Sequence, residues 1–312
     1  MPKRPDTGLT GVLCIRKPQE FTSFDVVAKL RGISGTRKIG HSGTLDPMAT
    51  GVLPLLFGQA AKACDLLPVT DKRYRASARF GFTSDTQDIW GKVLAEDPAP
   101  LSRAALEAVL PRFRGEIMQI PPMYSAVQVG GQRLYDLARK GIEVERKSRP
   151  AVIRELNLLS YDEARREAVF DILCSKGTYI RTLCHDIGAA LGMGAVMTGL
   201  TRTEAAGFTL ADCVTIEEAQ QAAAEGRFPG LLQPVSRLFA GLPAITLSEG
   251  QARLFRNGAR LDLNRIRCAK IGGDHAVYGP GEEFLGIAVC DMGQNELVIR
   301  RLFAAPAPGQ AK

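Results

Sequence analysis

No apolar run in the 312 residues approaches the roughly 18 that a membrane-crossing helix requires, and the opening MPKRPDTGLTGV carries basic residues but no apolar segment of a secretory leader. The expectation is a cytoplasmic protein without membrane association. Cysteine is sparse and unpatterned: the seven, at 14, 64, 174, 184, 213, 268 and 290, include no CxxC pair, so neither a disulfide framework nor a zinc finger is indicated. They read as small core residues in a reducing compartment. Histidine is scarcer still, and His41, His185 and His275 lack partners at metal-ligand spacing, so no metal is expected. A GxSxG elbow is missing too. GTRKIGHS (35–42) departs from the phosphate-binding pattern GxxxxGK[ST], with His41 in place of the lysine, which argues against a nucleoside triphosphatase. There is no internal repeat, and low complexity is confined to the tail AAPAPGQAK, expected to be disordered over 307–312.

Positive charge, by contrast, is in excess. Forty Lys and Arg stand against 33 Asp and Glu, a net charge of +7, which fits a polyanionic partner. Residues 16–38 hold six basic side chains against Glu20 and Asp25, and residues 128–154 hold seven arginines and lysines, among them Arg139 and Lys140. Each cluster alone is compatible with a solvated surface; several bracketing one polar motif are equally compatible with an RNA-binding face. With 45% hydrophobic and 23% charged residues the composition is that of a folded soluble chain, and its length predicts a large domain followed by a smaller one.

Val12–Ile15 reads as a strand, and Ser23 as the N-cap of a helix with Phe24, Val27, Leu30 and Ile33 inward. VLPLLFG (52–58) has a buried-strand pattern. KRYRASARFGF (72–82) alternates most cleanly, Tyr74, Ala76, Ala78 and Phe80 opposite Arg73, Arg75, Ser77 and Arg79. A helix is expected near 102–113, a hairpin or loop with a short helix over 121–141, and a strand over 167–175 leading through Gly177 into a helix with Ile180, Leu183, Cys184, Ile187 and Leu191 on its core face. Thr215 and Glu218 form a capping box, and the aperiodic 226–243 stretch reads as a linker. Beyond it, short strands and one helix suggest a small β-barrel, with Arg253, Arg256, Arg260, Arg265, Arg267 and Lys270 as its basic residues.

Asp46 lies in GHSGTLDP, between predicted elements. An aspartate before proline commonly caps its own turn, but this one follows a planar aromatic, His41, within a glycine-rich loop flanked by basic residues. GHSGTLDPMATGVLP resembles the signature of the TruB-type tRNA pseudouridine-55 synthase family. Four further blocks resemble that family in order: KPxxxTS at 17–23, DKRY at 71–74, PPMYSAVQ at 121–128 and CSKGTYIRTLCHDIG at 174–188. The resemblance runs from about residue 9 to 240, and RNGARL with the strands after it resembles a PUA domain. Glu20 departs from the family, which has glycine there.

The resemblance implies an α+β pseudouridine synthase fold: a mixed, largely antiparallel central sheet with a catalytic cleft over 9–240, an RNA-clasping thumb at about 121–150, and a PUA β-barrel over 242–306. It implies isomerisation of a uridine at position 55, in the TΨC loop of tRNA, without cofactor. Asp46 is then the catalytic carboxylate, as nucleophile or base; Arg181 is its cationic partner; and Tyr74 stacks on the uracil and relays a proton. Tyr179 and Leu200, the latter through its backbone, wall the extruded base, and His41 fills the hole it leaves. Lys17, Arg37, Lys38, Arg139 and Lys140 are expected on the RNA backbone. The implied partner is the T-arm of tRNA, with the protein a monomer needing no protein partner. A non-catalytic RNA-binding or tRNA-chaperone protein on the same fold, and an RNA-base hydrolase or glycosylase, remain the alternatives; the mass and identity of the product separate the three.

Overall fold

The alternation at KRYRASARF is realised as a nine-residue strand in the middle of a ten-stranded sheet. The computed structural model describes residues 6–267 and 271–304; Cys268, Lys270 and the 307–312 tail lie outside the described residues. In chain order the first part runs β1 (Gly11–Lys17), α1 (Ser23–Ser34), β2 (Ile39–His41), β3 (Thr50–Phe57), β4 (Lys72–Phe80), a hairpin of β5 (Phe82–Ser84) and β6 (Val93–Glu96), α2 (Arg103–Val109) and β7 (Gly115–Gln119). A small hairpin, β8 (Gln128–Val129) and β9 (Gln132–Arg133), leads into α3 (Leu134–Ala138), then β10 (Arg149–Asp162), β11 (Glu167–Cys174), α4 (Ile180–Ala190), β12 (Ala195–Ala205), β13 (Phe208–Thr209), β14 (Cys213–Val214) and α5 (Ile216–Ala224). The last part is β15 (Ala244–Thr246), α6 (Glu249–Arg256), β16 (Leu261–Asp262), β17 (Gly273–Tyr278), β18 (Phe284–Asp291) and β19 (Glu296–Leu302).

The main path of the large sheet is β14-β1-β3-β12-β4-β11-β10-β7, with β2 on β3 and β13 on β12. Only β1–β14 and β3–β12 pair in parallel, so the sheet is mixed and largely antiparallel. β1 and β3 read as continuous apolar runs because both of their faces are covered. Leu13, Ile15, Leu53, Leu55 and Phe57 join the core beneath α1 and α4. Val12, Cys14, Val52 and Leu56 face the other way, into a second cluster.

That second cluster overturns the linker expectation for 226–243. Val235, Leu238 and Phe239 pack in it beside Ala276, Ile287 and Phe303 of the C-terminal part, and Phe239 stacks on Phe284 at 5.7 Å. Gln233 bridges back to Val12 through paired backbone hydrogen bonds of 2.8 Å. The stretch lacks periodicity because short 3-10 turns, not an α-helix, carry its apolar residues inward. The C-terminal strands form an open five-stranded sheet, β15-β17-β18-β19-β16, of a PUA-like half-barrel.

Helix α1 is capped by Thr22 rather than Ser23. The Ser23 hydroxyl is pulled into the 43–49 loop, where it accepts from Leu45 N at 2.9 Å. This fixes the roll of the helix, so Val26, Val27 and Leu30 are buried while Phe24 turns outward at 66% exposure beside Arg31. Helix α4 lies against β12, which Gly188 permits: a Cβ there would stand 2.3 Å from Ala195 N.

Candidate active site

The loop between β2 and β3 is held at almost every residue from 43 to 47. Arg202, on β12 and fully buried, donates to Gly43 O at 3.1 Å, Thr44 O at 3.3 Å and Val52 O at 2.8 Å. Glu20 N donates to Pro47 O at 2.8 Å. The Lys17 ammonium donates to Pro18 O, Phe21 O and Pro47 O. Leu45 and Met48 are buried on either side of Asp46, whose side chain is left 39% exposed. A carboxylate on a clamped loop, with its neighbours as anchors, is positioned before any substrate arrives.

Arg181 meets it from the first turn of α4. The backbone at that helix start is held by the buried Gln119 side chain, which accepts from Tyr179 N at 3.0 Å and donates to Tyr179 O at 3.1 Å. Arg181 Nε lies 3.0 Å from Asp46 Oδ2, its Nη1 3.6 Å from Asp88 Oδ2. Nη1 also donates to Thr86 O at 3.0 Å and Nη2 to Tyr124 O at 2.7 Å. One guanidinium therefore joins the Asp46 loop, the turn of the β5–β6 hairpin and the start of the 121–150 segment. Its side chain is only 6% exposed, the setting in which a charge needs compensation. Asp46 Oδ1 has no donor among the described residues, leaving one carboxylate oxygen held and the other open.

Tyr74 is buried in β4 with its ring in the large core. Burial pushes its phenol up to about 12, opposed by the nearby charge of Arg202. His41 ends β2 and accepts at Nδ1 from Gly43 N, 3.3 Å away, which assigns the proton of the neutral ring to Nε2. Burial, and then the charges of Arg202 and Lys72, lower its pKa below the usual histidine range. Leu200 sits opposite Ala76 on β4, its carbonyl 3.5 Å from Thr50 Oγ1. Tyr179 is half-buried at the start of α4.

Asp46 and Arg181 are thus in contact, and the charge of Arg202, which clamps their loop, also acts on Tyr74. Tyr179 precedes Arg181 by two residues in the chain, but neither it nor Leu200 forms a hydrogen bond to Asp46. Arg37 and Lys38 are exposed before β2, and Arg139 and Lys140 are exposed after α3. Lys17 does not belong with them: it is fully buried and its ammonium is spent on carbonyls, so it supports the loop from inside and cannot face RNA. Asp88 and Arg202 were missed at the sequence level. Asp88 sits in an unremarkable polar turn, and Arg202 resembles any strand arginine until its three carbonyl partners, two segments away, are seen.

Comparison with known proteins agrees with this architecture. A solved Cbf5–Nop10–Gar1 complex contains a chain similar to this one, with a TM-score of 0.74 and 25% identity, covering 96% of this chain and 86% of that one. The fold is that of the pseudouridine synthases. The TruB family pseudouridylate synthase N-terminal domain model matches residues 31–180, and the tRNA pseudouridylate synthase B C-terminal domain model matches 181–240. The tRNA pseudouridine synthase B of Geobacillus kaustophilus (strain HTA426) is 45% identical over 280 residues, 87% of this chain and 97% of that protein. That of Pseudomonas fluorescens (strain Pf0-1) is 45% identical over 259 residues, 82% and 84% of the two chains. The chain belongs to the TruB family of pseudouridylate synthases.

Proposed function

We propose that this protein isomerises a uridine of tRNA to pseudouridine, at position 55 in the TΨC loop. The observation that carries the reading is the 3.0 Å contact between Arg181 and a half-exposed Asp46, on a loop clamped from three sides, in a chain of this family. In the reaction the bond from N1 to C1′ breaks, the uracil turns, C5 bonds to C1′, and the proton displaced from C5 is lost as N1 gains one. Asp46 acts as nucleophile or base, Arg181 holds its charge where water is excluded, and Tyr74, whose phenol stays protonated at neutral pH, presents a ring edge and a hydroxyl beside Arg202. The uridine is extruded from the loop to reach this depth; Tyr179 and the Leu200 backbone wall it, and neutral His41 takes up the vacated layer with its Nε2 proton.

Residues 9–240 form the catalytic unit in this reading, 121–150 its thumb and 242–306 the PUA unit. Arg37, Lys38, Arg139 and Lys140 lie along the RNA backbone. The protein works in the cytoplasm as a monomer, with tRNA as its partner. The experiment is incubation of an unmodified tRNA transcript with purified protein, followed by nucleoside analysis and mapping of the site. Pseudouridine at position 55 is the expected result. A bound but unmodified transcript would leave only an RNA-binding protein, and loss of the base would make it a glycosylase.

A further inference from the structure

Beside the Asp46 loop lies a cleft of about 400 Å³ lined by Ser42, Cys64, Asp65, Lys72 and Lys176 among others, with Cys64 Sγ 3.8 Å from the His41 carbonyl. Lys72, from the first position of β4, presses against the loop itself: a Cβ on Gly43 would stand 2.8 Å from its Nζ. Lys176 reaches the cleft from the turn before α4. Fully buried Arg202 adds a third positive charge, 3.7 Å from the same Gly43 position. Among the described residues none of these three cations has a carboxylate within ion-pair distance, and exposed Asp65 is the one acidic side chain on the wall. The Ser42 hydroxyl is buried without a partner. In the C-terminal part, by contrast, Arg256, Arg260, Arg265 and Arg300 are each paired with a carboxylate.

Clustered cations without counter-ions are unfavourable in a partly dry cleft, and an orphaned hydroxyl beside them adds to the cost. Both are relieved by one ligand, an anion with several acceptor oxygens. We propose that this cleft binds a backbone phosphate of the substrate RNA, held by Lys72 and Lys176 with Ser42 as a neutral donor. The assignment rests on the tRNA reading above and adds to it a specific anchoring subsite, one that fixes the strand next to the extruded nucleotide. Burial, with the like charges of Arg202 and Lys176, brings Lys72 down to about 8, the mark of a cation waiting for its counter-ion.

The test is the salt dependence of tRNA binding by the full-length protein. Each lost phosphate contact lowers the slope of log affinity against log salt by about one and weakens binding at low salt by roughly tenfold. Lys176→Gln, on an exposed side chain that leaves the fold intact, and Lys72→Gln are each expected to do so; Arg112→Gln, at an exposed arginine outside the cleft, is expected to leave the slope as it is. Inorganic phosphate, exchanged for chloride at equal ionic strength, is expected to compete with tRNA in the wild type and less in Lys72→Gln. Unchanged slopes in both lysine variants would overturn the subsite, as would phosphate binding in the cleft that does not compete with tRNA, which would make it a small-anion site. Nucleoside analysis on the same samples separates the two ideas: wild type that makes pseudouridine while the slopes stay equal refutes the cleft alone, and wild type that makes none refutes the functional reading.

Discussion

Replacing Arg202 tests whether the catalytic loop is built by the sheet beneath it. Arg202→Met keeps an unbranched apolar stem but leaves the carbonyls of Gly43, Thr44 and Val52, bonded at 2.8 to 3.3 Å, without their donor. At roughly 1 kcal/mol for each orphaned buried acceptor the loss is about 3 kcal/mol, toward the low end because a buried cation is removed as well. For a chain of this size that lowers Tm by roughly 5–10 °C. The larger effect falls on chemistry. A displacement of about 1 Å in a catalytic group costs on the order of a hundredfold in rate, and Asp46 sits two residues beyond the last carbonyl that Arg202 holds in the loop. Arg202→Lys keeps the charge but cannot reach three carbonyls with one ammonium, so it falls between wild type and Met. The assays are scanning calorimetry and single-turnover pseudouridine formation on saturating tRNA, well below the variant's Tm. If both variants turn over within about threefold of wild type, the loop is placed by its own turn and the sheet is not its scaffold.

Asp46→Asn keeps the shape of the side chain and removes its charge; single turnover is expected to fall by several orders of magnitude with tRNA affinity little changed, and a rate within about tenfold of wild type removes Asp46 from the chemistry. Asp88→Asn takes one of two carboxylates from Arg181, which Thr86 O and Tyr124 O still hold, so a loss of roughly tenfold in the saturated rate without a change in tRNA affinity is expected; a wild-type rate would make Asp88 structural only. Tyr74→Phe keeps the ring and loses the hydroxyl, so slow turnover is expected, with Tyr74→Leu also binding the tRNA loop more weakly; equal and mild effects in both would mean core packing. Phe303→Ala opens the cluster shared by the two sheets and is expected to cost roughly 2–4 kcal/mol, with the whole chain unfolding in one calorimetric transition; two separate transitions would show that the C-terminal half-barrel stands apart.

The strands were legible because alternation and two-sided burial both leave a mark in composition, as at β4 and β1. Asp46 and Arg181 were legible only through the blocks around them. A turn aspartate before proline has a local use, and position 181 lies one step off the core stripe of its helix, so neither could be singled out by periodicity. Asp88, Arg202 and the interior course of Lys17 were hidden for a common reason: their partners are backbone carbonyls or a side chain far away in sequence, and no spacing rule encodes a carbonyl. Phe24 was placed inward on a helical stripe that the Ser23 contact to Leu45 rotates. The 226–243 stretch passed for a linker because 3-10 turns bury Phe228, Leu238 and Phe239 without a period of 3.6.

The place of β12 between β3 and β4 also sets an order of events during synthesis. Until residue 205 has left the ribosome, β3 and β4 have no common neighbour, and their apolar edges stay open. The loop cannot be gripped before then either, since its main clamp is Arg202 and the bond to Val52 spans 150 residues. Contacts so distant along the chain form late and slowly. A nascent chain stalled within α4 therefore carries Asp46 and Arg181 but no finished site, and it exposes the strand edges on which misassembly starts. In this fold the active site waits on the last long strand of its own sheet.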